Sequence, residues 1–135
     1  MFSVIFPGQG SQSVGMAKDL YSKFNIMREL FEQADEILKI PISKLILDGP
    51  KEQLDQTENT QPAIFLVGFS IFQLIKKDFG IDLNKASYFA GHSLGEYTAL
   101  ACAEALSFSD TLKLLRIRGK SMQHAVPKGE GGMVA

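Results

Sequence analysis

The strongest constraint on the fold is Gly91-His92-Ser93-Leu94-Gly95, which lies between the short apolar run at 86–90 and a stretch rich in alanine and leucine. A Gly-x-Ser-x-Gly turn between a strand and a helix fits a nucleophile elbow, in which a tight turn pushes the serine hydroxyl out at the end of a sheet. The glycines are required because a β-carbon would collide with the neighbouring elements. The helix expected to follow, through about Leu106, carries the small residues Gly95, Ala99, Cys102 and Ala103 on one face, which lets it lie close to a sheet. Its first turn would aim unpaired N–H groups and the positive end of its dipole at an oxyanion beside Ser93. The alternative reading of Ser93 is a plain helix cap.

An elbow implies a sheet, and the rest of the chain supplies elements to cover one. Met1 to Pro7 lacks a basic leading region and a long apolar run, so it reads as a strand rather than a signal peptide. Met27, Leu30, Phe31, Ala34, Ile37 and Leu38 recur at helical spacing and predict an amphipathic helix. Asp48-Gly49-Pro50 breaks the segment from Pro41 to Gln56 into two short pieces. Thr60, just before Gln61-Pro62, is expected to cap a long helix that is apolar nearly all round and therefore sandwiched. That stretch is interrupted by Gly68, Ser70 and Gln73 and stops at Lys76-Lys77, too short for a bilayer span. Ser107 or Ser109 can cap a last helix, Asp110 to about His124. Strands alternating with helices indicate an α/β layer fold with a mainly parallel sheet.

At 135 residues, 45% of them hydrophobic, the chain is large enough for one compact domain or a large piece of one. Fourteen basic against fifteen acidic residues provide no global field for nucleic acid or an anionic membrane, so any anion recognition must be local. The single cysteine, Cys102, excludes an internal disulfide framework and a cysteine-based metal cluster and suits a reducing compartment, the cytoplasm by default.

The remaining candidates are local. The loop at Gly8 to Gln12 is not a phosphate cradle, because Met16 stands where a Walker lysine belongs and Ser13 where a dinucleotide loop has its third glycine. Next to the elbow, its Gln9 backbone N–H would supply a second oxyanion donor, the alternative being a structural turn. Arg118 shares a helical stripe with Leu115, Gly119 and Met122, whereas Lys113, Arg116 and Lys120 are expected on the solvated face. A cation on an apolar stripe wants either a structural carboxylate or water beyond the core edge, or the carboxylate of a substrate gripped in two parallel hydrogen bonds. His92 adjoins the nucleophile and diverges from it, His124 reads as a surface residue, and Cys102 as a small core residue. A serine esterase therefore lacks a base within these residues.

Four segments, Pro7-Gly8-Gln9-Gly10-Ser11-Gln12, Thr60-Gln61-Pro62-Ala63, Gly91 to Tyr97 and Arg118 to Gln123, together resemble the malonyl-CoA:acyl carrier protein transacylases, relatives of the acyltransferase domains of polyketide synthases. The resemblance implies a three-layer α/β-hydrolase-like large subdomain with an inserted ferredoxin-like small one. It also implies ping-pong transfer from malonyl-CoA to acyl carrier protein through a malonyl-serine ester, in a monomer, with no metal and no cofactor beyond the substrate itself. Ser93 would match the nucleophile, the N–H groups of Gln9 and Leu94 the oxyanion hole, and Arg118 the partner of the malonyl carboxylate, with Gln61 and His92 lining the site. On the same resemblance residues 1–127 belong to the large subdomain and 128–135 begin the small one, and the catalytic histidine is expected beyond position 135. Competing readings are a carboxylesterase or thioesterase, which has no use for Arg118 as an anion partner, and a non-catalytic carrier-protein-binding module that keeps the elbow for packing.

Overall fold

The structure, a computed structural model, describes residues 1–126 and 129–131. Strand β1 (Ser3–Phe6) lies parallel to β2 (Tyr88–Gly91), with Ser3 opposite Tyr88 and Phe6 opposite Gly91. Between them run α1 (Lys18–Lys23), α2 (Asn25–Leu38), α3 (Ile42–Asp48), α4 (Lys51–Leu54) and α5 (Thr57–Lys77), and after β2 come α6 (Leu94–Cys102) and α7 (Phe108–Ala125). The chain is thus α/β, mostly helical, with a two-stranded parallel sheet among the described residues. Among the same residues no helix is long and apolar enough to cross a membrane.

Helix α5 is the spine. It buries side chains nearly all round, from Asn59 through Phe65 and Phe69 to Leu74, because α2, α6 and α7 all pack on it. Helix α2 turns Ile26, Met27, Phe31 and Ala34 inward, the stripe expected from its spacing. Phe65, Phe69 and Phe108 stack with ring centroids 5.0–5.7 Å apart and tie α5 to the start of α7, each such pair adding about 1 kcal/mol beyond its buried area. Ser107 caps α7, its Oγ accepting from the Asp110 N–H at 3.0 Å. Gly49, at φ +81°, makes the turn between α3 and α4.

Three expectations need correction. Thr60 does not cap α5: the helix begins at Thr57, and Thr60 is fully buried inside it, its hydroxyl donating to the Leu54 carbonyl at 2.5 Å. Pro62 therefore sits in the helix, where its missing N–H leaves the Glu58 carbonyl without its usual partner. Arg116 supplies one, donating from Nη1 to the Glu58 oxygen at 2.8 Å, and its guanidinium also bonds Asn59 Oδ1 and pairs with Glu58 at 3.6 Å. Arg116 is consequently half-buried rather than on the solvated face with Lys113 and Lys120. Helix α6 stops at Cys102, not Leu106, and Ala103 is exposed. The segment expected to open a second subdomain, 128–135, lies outside the described residues apart from 129–131.

Candidate active site

Helix α6 meets the end of the sheet at very short range. A β-carbon on Gly95 would fall 2.6 Å from the Phe6 carbonyl oxygen and 2.7 Å from that of Pro7, and one on Gly91 would fall 1.9 Å from the Gly95 carbonyl carbon. Both outer glycines of the motif are therefore demanded by packing. Between them Ser93 has φ +56° and ψ −109°, a conformation L-residues rarely adopt and one that costs on the order of 1–3 kcal/mol. Its hydroxyl makes no capping hydrogen bond. Instead Ser93 Oγ accepts from Arg118 Nη2 at 3.0 Å. Leu94 is the first residue of α6, so its N–H is one of the four at a helix start with no partner inside the helix.

Arg118 reaches Ser93 from α7. Gly119 makes this possible: a β-carbon there would sit 2.6 Å from Glu58 Cα, so α7 crosses directly on the backbone of α5. Past the crossing, Arg118 Nη1 donates to Gln61 Oε1 at 2.8 Å, and Gln61 Nε2 donates to Met122 Sδ at 3.0 Å. Gln61 is only 1% exposed. The guanidinium also lies 5.7 Å from the centre of the Tyr97 ring. Among the described residues no carboxylate forms an ion pair with Arg118, so its immediate partners are all neutral.

The glycine loop abuts the elbow. A β-carbon on Gly8 would fall 2.5 Å from His92 Nδ1 and 2.8 Å from the His92 carbonyl oxygen, and the His92 N–H donates to the Phe6 carbonyl at 3.2 Å. Within the loop Ser11 Oγ donates to the Gly8 carbonyl, and the Gly10 N–H donates to Gln12 Oε1. Two amide side chains moor it to the α4–α5 junction, Gln9 Nε2 to Thr57 Oγ1 at 3.2 Å and Gln12 Nε2 to Asp55 Oδ1 at 2.9 Å. The Gln12 amide and the Lys51 ammonium beside Asp55 hold its carboxyl below the usual range.

The structure thus brings Ser93, Leu94, His92, Arg118, Gln61 and the Gln9 loop to one end of the sheet. His92 and His124 are both exposed, and among the described residues neither imidazole hydrogen-bonds Ser93. Cys102 is buried, and burial pushes its thiol up to about 12. Among the described residues no three histidine, cysteine, aspartate or glutamate side chains gather as metal ligands. Tyr97, Met122, Ser11, Gln12 and Asp55 were not legible as site residues beforehand. Most of their partners lie far away in sequence, as with Gln12 and Asp55, 43 positions apart, whereas Ser11 bonds Gly8 three positions back.

The acyl transferase domain family matches residues 3–135. A malonyl CoA-acyl carrier protein transacylase of Haemophilus influenzae is 46% identical over 134 residues, covering 99% of this chain and 42% of the relative. A solved malonyl CoA-acyl carrier protein transacylase of Coxiella burnetii superposes with TM-score 0.89 at 45% identity, over 93% of this chain and 39% of that one. Another solved neighbour is a malonyl-transacylase in complex with a type II polyketide acyl carrier protein, with TM-score 0.88 and 41% identity, over 95% of this chain and 40% of that one. The chain spans 32–42% of the length of the first curated relatives it matches.

Proposed function

The chain belongs to the acyl transferase domain family, and on that premise we propose that it carries the nucleophile and carboxylate-binding residues of a malonyl-CoA:acyl carrier protein transacylase. The observation that carries the proposal is Arg118 Nη2 at 3.0 Å from Ser93 Oγ, with no carboxylate among the described residues paired to that arginine. In malonyl-CoA one methylene separates the thioester carbonyl from the free carboxylate, so a carbonyl carbon within bonding reach of Oγ leaves the carboxylate within reach of the guanidinium. A simple ester offers nothing to that charge, which disfavours the esterase reading.

The reaction runs in two halves. Ser93 Oγ attacks the thioester carbonyl carbon, the C–S bond breaks, and coenzyme A leaves as the thiol, carrying the proton that a general base takes from the serine. The pantetheine thiol of acyl carrier protein then attacks the malonyl-serine ester, and its proton returns to Ser93. In each half the carbonyl oxygen becomes an oxyanion, for which the N–H groups of Gln9 and Leu94 are the assigned donors. Gln61 orients the guanidinium, and His92 braces Gly8. We further assign residues 1–127 to a three-layer, α/β-hydrolase-like large subdomain, with a ferredoxin-like small one starting at 128, in a monomeric enzyme of the cytoplasm that needs no metal or cofactor. A polyketide carrier protein is the second candidate acceptor, because one neighbour of this fold is complexed with such a carrier.

Intact-mass measurement of the full-length protein after treatment with malonyl-CoA tests the proposal. One malonyl unit is expected on the wild type and none on Ser93→Ala. An adduct that survives on Ser93→Ala would remove Ser93 from the mechanism, and a wild type that acquires no adduct would favour the non-catalytic carrier-binding module.

A further inference from the structure

We infer that Ser11 and Gln12 are positioning residues that clamp the two peptide groups flanking Gln9 and so keep the Gln9 N–H trained on the oxyanion. The inference rests on the transferase reading and adds residues to it. In a trans peptide the C=O and N–H point in opposite directions from one rigid plane, so holding either end aims the other. The N–H of Gln9 shares its plane with the carbonyl of Gly8, and that carbonyl accepts from Ser11 Oγ at 2.9 Å. The hydroxyl therefore fixes the tilt of this plane, and by polarising it makes the opposite N–H a stronger donor.

The next plane is held as well. Its N–H, on Gly10, donates to Gln12 Oε1 at 2.8 Å, while the other end of the same amide donates to Asp55 Oδ1 at 2.9 Å. Gln12 is thus a strut from the loop backbone to the α4–α5 junction, and the Gln9 side chain adds a second mooring at Thr57. Lys51 pairs with Asp55, and the depressed carboxyl keeps the anchor an acceptor throughout the neutral range. Gly10, at φ +108°, provides the backbone freedom that lets the chain turn immediately after the second plane and bring Ser11 and Gln12 back onto the loop. Gly8, wedged against His92, sets the distance between loop and elbow.

The test is steady-state kinetics on the full-length enzyme with malonyl-CoA and with acetyl-CoA. Loss of a whole oxyanion donor slows catalysis by about 10²–10³-fold, so loosening one by removing its brace should cost about 10-fold in kcat. Ser11→Ala and Gln12→Ala are each expected to show that loss with KM unchanged within about twofold and the acetyl/malonyl ratio unaltered, because both thioesters form the same oxyanion. Ser11→Thr, which keeps the hydroxyl, is expected to restore most of the rate. Wild-type kcat in Ser11→Ala and Gln12→Ala, a loss expressed in KM, or a shifted acetyl/malonyl ratio would overturn the inference. Ser93→Ala, assayed alongside by mass, separates this failure from that of the parent reading: a surviving malonyl adduct sinks the transferase reading itself, whereas no adduct together with fast Ser11→Ala and Gln12→Ala enzymes sinks only the bracing role.

Discussion

Replacing Arg118 with alanine should change which acyl group is transferred more than it changes transfer as such. The guanidinium donates through Nη1 to Gln61 and through Nη2 to Ser93, and it has no carboxylate partner among the described residues. A malonyl carboxylate bound in its place would be left desolvated and unpaired in Arg118→Ala. Breaking a buried charge pair costs roughly 2–5 kcal/mol, and because Arg118 is only half-buried the lower part of that range applies, about 2–3 kcal/mol. At 1.4 kcal/mol per decade this is about 30- to 150-fold in kcat/KM for malonyl-CoA. Acetyl-CoA brings no second charge, so its transfer should fall only by what Arg118 contributes to holding Ser93 Oγ, about 10-fold, the lower end for one hydrogen bond to a charged group because Arg118 is only half-buried. The acetyl/malonyl ratio of kcat/KM should therefore rise. Arg118→Lys should recover part of the malonyl rate, since a point charge cannot reproduce the planar fork held between Gln61 and Ser93. Radiolabelled transfer to acyl carrier protein, run with each thioester, reads the ratio directly. A folded Arg118→Ala enzyme that loses both activities by the same factor would refute the carboxylate assignment and leave Arg118 as a residue that only positions Ser93.

The packing and the buried thiol supply two further expectations. Gly95→Ala would put a β-carbon 2.6 Å from one main-chain oxygen and 2.7 Å from another, so strand and helix must part, and a loss on the order of 3 kcal/mol in thermal or urea unfolding should follow. An unfolding midpoint within about 2 °C of wild type would show that the junction yields instead. Cys102, with its thiol pushed up to about 12, is only about 10⁻⁴ thiolate at pH 8, so iodoacetamide should label it slowly in the native protein, about tenfold faster per pH unit while the fold holds, and quickly in urea. Rapid native labelling at neutral pH would contradict its burial.

Features decided within one turn of chain were legible in the sequence, and those decided by a distant partner were not. The inward stripe Met27, Phe31 and Ala34, the break at Gly49, the Ser107 cap and the elbow at Ser93 all follow from spacing and local backbone demands. Thr60 failed as a cap because a proline near a helix start normally marks the first turn. Here the carbonyl that Pro62 cannot satisfy is taken by Arg116, 58 positions later. That one contact explains both errors, the cap placed a turn too late and the misplaced arginine. The anchor of the Gln12 brace was invisible for the same reason, since nothing near Gln12 announces Asp55, whereas the Ser11 brace is a local contact to Gly8.

The crossing of α5 and α7 accounts for two arginines two residues apart having opposite tasks. On a helix, positions 116 and 118 point about 200° apart, which ordinarily sends one of them to solvent. Gly119 brings the two backbones into direct contact, and the arginines then straddle the crossing, Arg116 gripping Glu58 and Asn59 while Arg118 grips Gln61. Arg116 repairs the start of α5, and the repaired turn leads directly into Gln61, whose amide is used at both ends, by Arg118 and by Met122. The guanidinium of Arg118 is accordingly oriented by neutral groups on two packed helices. A carboxylate arriving there displaces no ion pair among the described residues. It exchanges only the hydrogen bond to Ser93 Oγ, so on the proposed reaction the event that docks the malonyl group also frees the nucleophile that attacks it.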